Sequence, residues 1–408
     1  MTDCVSIDTC LACGSPDLTL KLDLTPQALA NNYIANIGDP EPKFPLAVNM
    51  CRHCYHLQLT HAVDPALIYT HYLYVSGTSK TGHDHFKWFA DFTKEYAGFS
   101  ANTVLDIGCN DGTQLDYYKQ LGFKTYGIDP AENLYPTSSK NHTIVCNFFN
   151  DETADRFLVQ HGKVDLMVAQ NSFAHNPAPL EYLLSLKKLM HSSSLFFIQT
   201  SQADMVVNNE FDTIYHEHVN FYNINSMNEL CKRAGLNLID VVKTPIHGTS
   251  YIFVVSPTRQ QPARLSNLIG LESAAGLLKE STYSKWATNA HDLVEELIGR
   301  VSVYTERHDY RVIGYGAAAK GNTLLQFSGL KVEAIIDDNP LKQELYSPGA
   351  NIPIVGIDYL DRFTDNDNIL FVPLAWNFYS EIRGRIKQKR DNRNDRFVKY
   401  FPEVDIEQ

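Results

Sequence analysis

The chain lacks any apolar run long enough to cross a bilayer. Its longest, such as SLFFIQT and NILFVPLAW, fall far short of the ~20 residues a spanning helix needs. The opening MTDCVSIDTC has no basic segment followed by an apolar one, so a secretion signal is not expected and a cytoplasmic location is. Positive charge is scarce as well. With 35 Lys and Arg against 47 Asp and Glu, the formal net charge of -12 gives no general basic field, and neither nucleic acid nor membrane is an expected partner. Two motifs are missing. There is no H-E-x-x-H to bring two imidazoles onto one ion, and the first glycine turn lacks the three glycines of a dinucleotide fingerprint. The first absence argues against a zinc hydrolase, the second against a nicotinamide dehydrogenase.

What is present is a chain of 408 residues, long enough for two or three hydrophobic cores. Eight cysteines without a secretion signal suit thiol or metal chemistry better than disulfides. CLAC (Cys10, Cys13) and CRHC (Cys51, Cys54) are two C-x2-C pairs, the spacing of a closed tetrahedral structural zinc site. Cys4, Cys109, Cys146 and Cys231 have no comparable spacing and read as ordinary thiols.

From Thr103 to Pro257 the runs TVLDIG, KTYGID, TIVCN, VDLMVAQ and SLFFIQT alternate with helix-length segments, the rhythm of a doubly wound parallel sheet. LIDVVKT and YIFVVS predict an antiparallel pair completing it. Pro262 to about His308 reads as a helical connector. From Arg311 the alternation restarts with RVIGYG, VEAIIDDN, IPIVGI and NILFVPLAW, a second α/β domain. The expected division is a zinc-binding domain over 1–70, a Rossmann-like cofactor-binding domain over 71–260, and a connector with a C-terminal α/β domain over 261–408.

TVLDIGCNDGTQL places Asp106, Gly108 and Asn110 in the first strand-to-helix loop, where a doubly wound sheet binds its ligand. That loop is acidic and suits a cationic ligand better than a pyrophosphate, while Asp129 at the end of the next strand can take both hydroxyls of a ribose. The pairing resembles the motif of class I S-adenosylmethionine-dependent methyltransferases. The resemblance implies Asp106 and Gly108 beneath the methionine part, Asp129 on the ribose, Phe148 or Phe149 beside the adenine, and Gln170 and Asn171 facing the cofactor. In the second α/β domain, RVIGYGAAAKGNTLLQ offers Gly316, Lys320 and Asn322 at a helix start, with Asp337 after the next strand. These predict a substrate half-site for phosphate and a sugar hydroxyl; a tight turn that needs glycine only for packing is the alternative.

The zinc pairs, the adenosylmethionine motif, YHEH and GYGAAAKGNT…DDNP…SPGANIPI occur in one order along the chain. The arrangement resembles the three-domain sugar C-methyltransferases, which methylate carbon 3 of nucleotide-linked 4-keto-6-deoxysugars. The resemblance implies roles for Tyr215, Glu217 and His218, for the loop residues Tyr72 and Tyr74, and for His175 after the fourth strand. The chemistry it implies needs a base of near-neutral pKa to form an enolate, which suits His218 with Glu217 orienting it. Neutral donors to the enolate oxygen are also needed, for which Tyr72, Tyr74, Tyr222 and His175 are candidates. Asp212 and His216 read as structural residues. An O- or N-methyltransferase and a non-catalytic binder of adenosylmethionine or nucleotide-sugar are the alternatives, and a monomer or weak homodimer is the expected state.

Overall fold

A computed structural model describes residues 3–98, 100–200, 203–246 and 249–408. These residues separate into two compact units built from interleaved segments. The first holds Met1–Thr19, Asn49–Ala203 and Glu217–Lys279; the second holds Leu20–Val48, Asp204–His216 and Glu280–Gln408.

In the first unit a short strand β1 (Leu57–Leu59) follows the second cysteine pair. Helix α1 (Lys80–Ala97) starts where the Ser79 side chain accepts from the Gly82 amide and stops at Gly98. The main sheet then alternates β2 (Thr103–Ile107), α2 (Thr113–Gln120), β3 (Lys124–Asp129), β4 (Thr143–Cys146), α3 (Asp151–His161), β5 (Val164–Gln170), α4 (Pro179–Lys188) and β6 (Met190–Thr200). After the two-residue β7 (Asn220–Phe221) come α5 (Ile224–Arg233), the antiparallel β8 (Asn237–Thr244) and β9 (Ser250–Ser256), and α6 (Ala263–Ala274).

The seven sheet strands lie in the order β4-β3-β2-β5-β6-β9-β8. Strands β2 to β6 are parallel, with β9 antiparallel to β6. The order reverses between β2 and β5, which opens a crevice at their carboxyl ends. Both faces are covered, so the middle strands are apolar throughout: Leu105, Met167, Phe196 and Phe253 point to one core, and Val104, Val168, Phe197 and Val254 to the other. Cys10, Ala12, Cys51 and Cys54 share the first of these cores with Met227, Leu230 and Cys231 of α5.

The second unit contains α7 (Glu280–His308), β10 (Arg311–Tyr315), α8 (Ala319–Ser328), β11 (Ala334–Ile336), β12 (Ile354–Val355), β13 (Ile369–Pro373), α9 (Tyr379–Lys389), β14 (Arg396–Lys399) and β15 (Asp405–Glu407). Its sheet runs β12-β11-β10-β13-β14-β15, parallel except for the last strand. The tail thus contributes the last two strands at one side of this sheet. Among the described residues no helix is long and apolar enough to cross a membrane.

Gly127 sits inside β3, where an added Cβ would lie 2.5 Å from Cys109 Sγ and 2.6 Å from Ile144 Cδ1. Gly127→Ala is expected to cost about 1–3 kcal/mol of overpacking, seen as a lower urea midpoint with an unchanged denaturant slope.

Candidate active site and metal centre

Each cysteine pair folds into the same knuckle. The Gly14 amide donates to Cys10 O and the Tyr55 amide to Cys51 O, both at 2.8–2.9 Å, with Gly14 and Tyr55 in the left-handed region at φ 79° and 60°. The Cys13 and His53 amides point at Cys10 Sγ and Cys51 Sγ, each at 3.4 Å. The two knuckles then interlock: Cys10 Sγ lies 3.6 Å from Cys54 Sγ, and Cys13 Sγ 3.6 Å from Cys51 Sγ. A tetrahedral ion with Zn–S near 2.3 Å requires sulfurs about 3.8 Å apart, so the four ligand atoms, all within 4.8 Å of one another, fit a zinc ion with no open position. Helix α5 holds both knuckles. At its start Asn223 and Asn225 donate to Tyr55 O and Cys54 O (2.7 and 3.2 Å), and Arg233 at its end donates to Ala12 O (2.7 Å).

The crevice between β2 and β5 is lined by acids. Asp106 is buried, and burial followed by the charges of Asp129 and Asp111 pushes its carboxyl up to about 8. Burial likewise raises Asp129, which accepts the Asn110 and Ala131 amides, one per oxygen, at 2.8 Å. A carboxylate has about four acceptor positions, so two remain for ribose hydroxyls. Gly108 (φ 84°) keeps the loop tight, since a Cβ there would meet Ser172 Cβ at 2.5 Å. Gln170 donates to Gln114 Oε1 (2.6 Å). Asn171 follows in the left-handed region at φ 55°. Three acids at a switch point suit a ligand carrying both a sulfonium and an ammonium.

Two expectations for this crevice change. The Asn110 side chain is engaged by the tyrosine loop, accepting from the Ser76 amide and donating to Tyr74 O at 3.0 Å, so it holds the loop over the cofactor turn. Phe149 packs edge-on against Tyr182 in the core, with ring centroids 4.7 Å apart, which leaves Phe148 as the aromatic candidate beside an adenine.

The tyrosine loop and the residues after β5 and β6 bring the proposed reaction groups together. Tyr72 donates to Glu217 Oε2 at 2.6 Å, the length of a charge-assisted bond. Tyr69 donates to Glu217 O at 3.2 Å and stacks on His175 at 5.4 Å and 7°; His175 in turn stacks on His218 at 5.3 Å and 29°. His175 Nε2 is buried without a partner among the described residues, and burial depresses the ring to about 4, so it stays neutral. Tyr72 therefore aims its proton at Glu217 rather than at a substrate oxygen, a correction to its expected role as an enolate donor. Tyr74, half-exposed, lies 6.4 Å from the Tyr72 ring.

Tyr222 requires a larger correction. It is fully buried, packed against His56 at 4.7 Å and Phe173 at 5.6 Å, and belongs to the core. Tyr215 and His216 belong to the second unit, where His216 Nε2 bonds Phe44 O at 3.2 Å. Asp212, also in that unit, accepts from Trp376 Nε1 at 2.8 Å.

The four residues expected to form a half-site in the second unit all make contacts within the protein. Asp337 accepts the Ala317 and Asn339 amides at 2.7 and 2.8 Å, one per oxygen, as Asp129 does in the first unit. Asn322 is buried and donates to Ala30 O at 2.8 Å, and the Lys320 ammonium lies over the Trp376 ring at 4.8 Å. Gly316 (φ 92°) is required by packing, since a Cβ would sit 2.8 Å from that of Ala375. The turn is tight for helix–strand contact.

Three matches to known families tile the chain: a putative zinc binding domain over 10–69, a methyltransferase domain over 82–241, and a C-methyltransferase C-terminal domain over 245–402. The C-methyltransferase NovU of Streptomyces niveus is 30% identical, with 97% of this chain and 96% of NovU covered. The chain belongs to the C-methyltransferase family. A ubiquinone biosynthesis O-methyltransferase of Glaesserella parasuis matches at 30% over only 25% of the chain and 47% of its own length. A methyltransferase structure from Clostridium acetobutylicum, with TM-score 0.36 and 12% identity, covers 43% of the chain and 92% of its own, and carries no part of the assignment. This C-methyltransferase family member uses S-adenosylmethionine and has a four-cysteine zinc site.

Sequence reasoning missed Tyr69, His56 and Asn220. Tyr69 shares the LIYTHYLY segment with Tyr72 and Tyr74, and Asn220 lies two residues beyond His218, but no spacing rule singles them out.

In this C-methyltransferase Cys54→Ser should abolish zinc retention, measured as metal per chain, and lower the thermal midpoint, because zinc binding is folding free energy in such sites. For the cofactor, Asp106 is mostly protonated below pH 8 when free, and a bound sulfonium and ammonium favour its carboxylate. Binding at pH 7 should therefore release a proton, and affinity should rise with pH and level off above about 8. Calorimetry in buffers of different ionisation enthalpy measures this; identical heats in all of them would exclude Asp106 as the linked group.

Proposed function

We propose that this C-methyltransferase methylates carbon 3 of a nucleotide-linked 4-keto-6-deoxysugar, with His218 as the base. The cofactor supplies an electrophilic methyl on its sulfonium. Carbon methylation beside a ketone first requires removal of the carbon-bound proton, and the enolate then attacks in line. The observation that carries the reading is the histidine stack beside a fixed carboxylate: His218 lies against His175, and Glu217 is pinned by Tyr72. His175, neutral above about pH 4, adds no positive charge next to the base. Its orphaned Nε2 suits a hydrogen bond to the developing enolate oxygen, and Tyr74 at the loop edge is the remaining phenol candidate. Tyr215 keeps its proposed role from the motif alone. The sugar class is supported by the strings that resemble sugar C-methyltransferases, and carbon over oxygen or nitrogen by the C-methyltransferase C-terminal domain match.

Incubation with S-adenosylmethionine and a panel of nucleotide-linked 4-keto-6-deoxysugars should give one product heavier by a methylene, read by mass spectrometry. His218→Ala should abolish deuterium wash-in at the substrate carbon with cofactor affinity nearly intact. Undiminished wash-in would remove His218 as the base.

A further inference from the structure

We infer that Asn220 is a positioning residue that ties the four-cysteine centre to the His175–His218 pair; the inference rests on the proposed role of those histidines. Asn220 is fully buried, two residues beyond His218. Its Nδ2 donates to Ala174 O (3.3 Å) and to Asn176 O (2.8 Å), the carbonyls on either side of His175. Its Oδ1 bonds His56 Nε2 at 3.1 Å, and His56 follows the second cysteine knuckle, its carbonyl accepting the Cys51 amide at 2.9 Å. One amide thus brackets His175 and is itself held from the metal side.

The backbone repeats the arrangement. In the antiparallel β7·β1 pair Asn220 stands opposite Gln58. The Gln58 amide brackets Cys10 as Asn220 brackets His175, accepting from the Leu11 amide (2.8 Å) and donating to Thr9 O (3.0 Å). Two facing amide side chains, one on the first cysteine and one on the active-site loop, therefore link the knuckles to the stack. Aspartate at position 220 keeps the volume and the Oδ1 acceptor but replaces the donor to both carbonyls with an oxygen. The His175 loop should then shift while the metal ligands stay in place. A displacement of about 1 Å costs on the order of 100-fold in a step that depends on alignment.

The test compares Asn220→Asp, and Asn220→Ser as a milder variant that keeps one donor, with the parent full-length protein. Expected are unchanged zinc per chain, cofactor affinity within about twofold, and wash-in reduced by about 100-fold in Asn220→Asp and less in Asn220→Ser. The ring-proton NMR shifts of both His175 and His218 should also move, since they report the stack whichever group is the base. If those shifts stay at the parental values in a zinc-replete variant, or wash-in is unchanged, Asn220 is not a positioning residue. If His218→Ala leaves wash-in intact while the Asn220 variants still move both rings, the base assignment fails and the positioning role stands.

Discussion

Four cysteine sulfurs converging on one ion impose the constraint from which the first unit is organised. The ligands come from knuckles 44 residues apart in the extreme pair, Cys10 and Cys54, yet their sulfurs must sit within bonding distance of a common point. Neither knuckle has the apolar bulk to fix its own position, so each is fastened by polar side chains: Gln58 around Cys10, Asn223 and Asn225 on the second knuckle, and Arg233 on the first. Because β7 and α5 begin immediately after the YHEH segment, fastening the metal also fastens Glu217 and His218.

The cofactor crevice works on a different principle. Asp106, Asp111 and Asp129 crowd together at the switch point, and burial makes the charges of Asp106 and Asp129 unfavourable until a cation arrives. The loop carrying Tyr72 and Tyr74 is laced to that crevice through Asn110 and Asp111, whose Oδ2 accepts the Gly77 amide at 3.0 Å. The same loop delivers Tyr72 to Glu217. The acid-lined crevice and Glu217 therefore share one connecting segment.

Much of this was legible in the chain. Strands buried on both faces must be apolar throughout, so VDLMVAQ and SLFFIQT announce themselves, and their spacing gives the parallel sheet. The cysteine pairs are equally plain, because two thiolates on one tight turn have few other uses. Less legible was what a polar residue does once buried. Tyr222 and Tyr72 are both tyrosines expected to donate to an enolate, but one fills the core and the other holds a carboxylate. GYGAAAKGNT reads as an anion turn, and one of its amides, that of Ala317, already donates to Asp337. The interleaving of the two units was also hidden, since periodicity registers each element but not the return of an early segment to a late one.

The sequence by itself determined the elements, their order and the metal ligands, because hydrophobic period and ligand spacing are local along the chain. Only the tertiary structure decided which side chains meet: that Asn220 brackets His175, that His175 lies on His218, and that burial beside Asp129 and Asp111 raises the pKa of Asp106. Those are contacts between residues far apart in sequence. Hydrogen bonding and electrostatics depend on distance in space, which no pattern along the chain encodes.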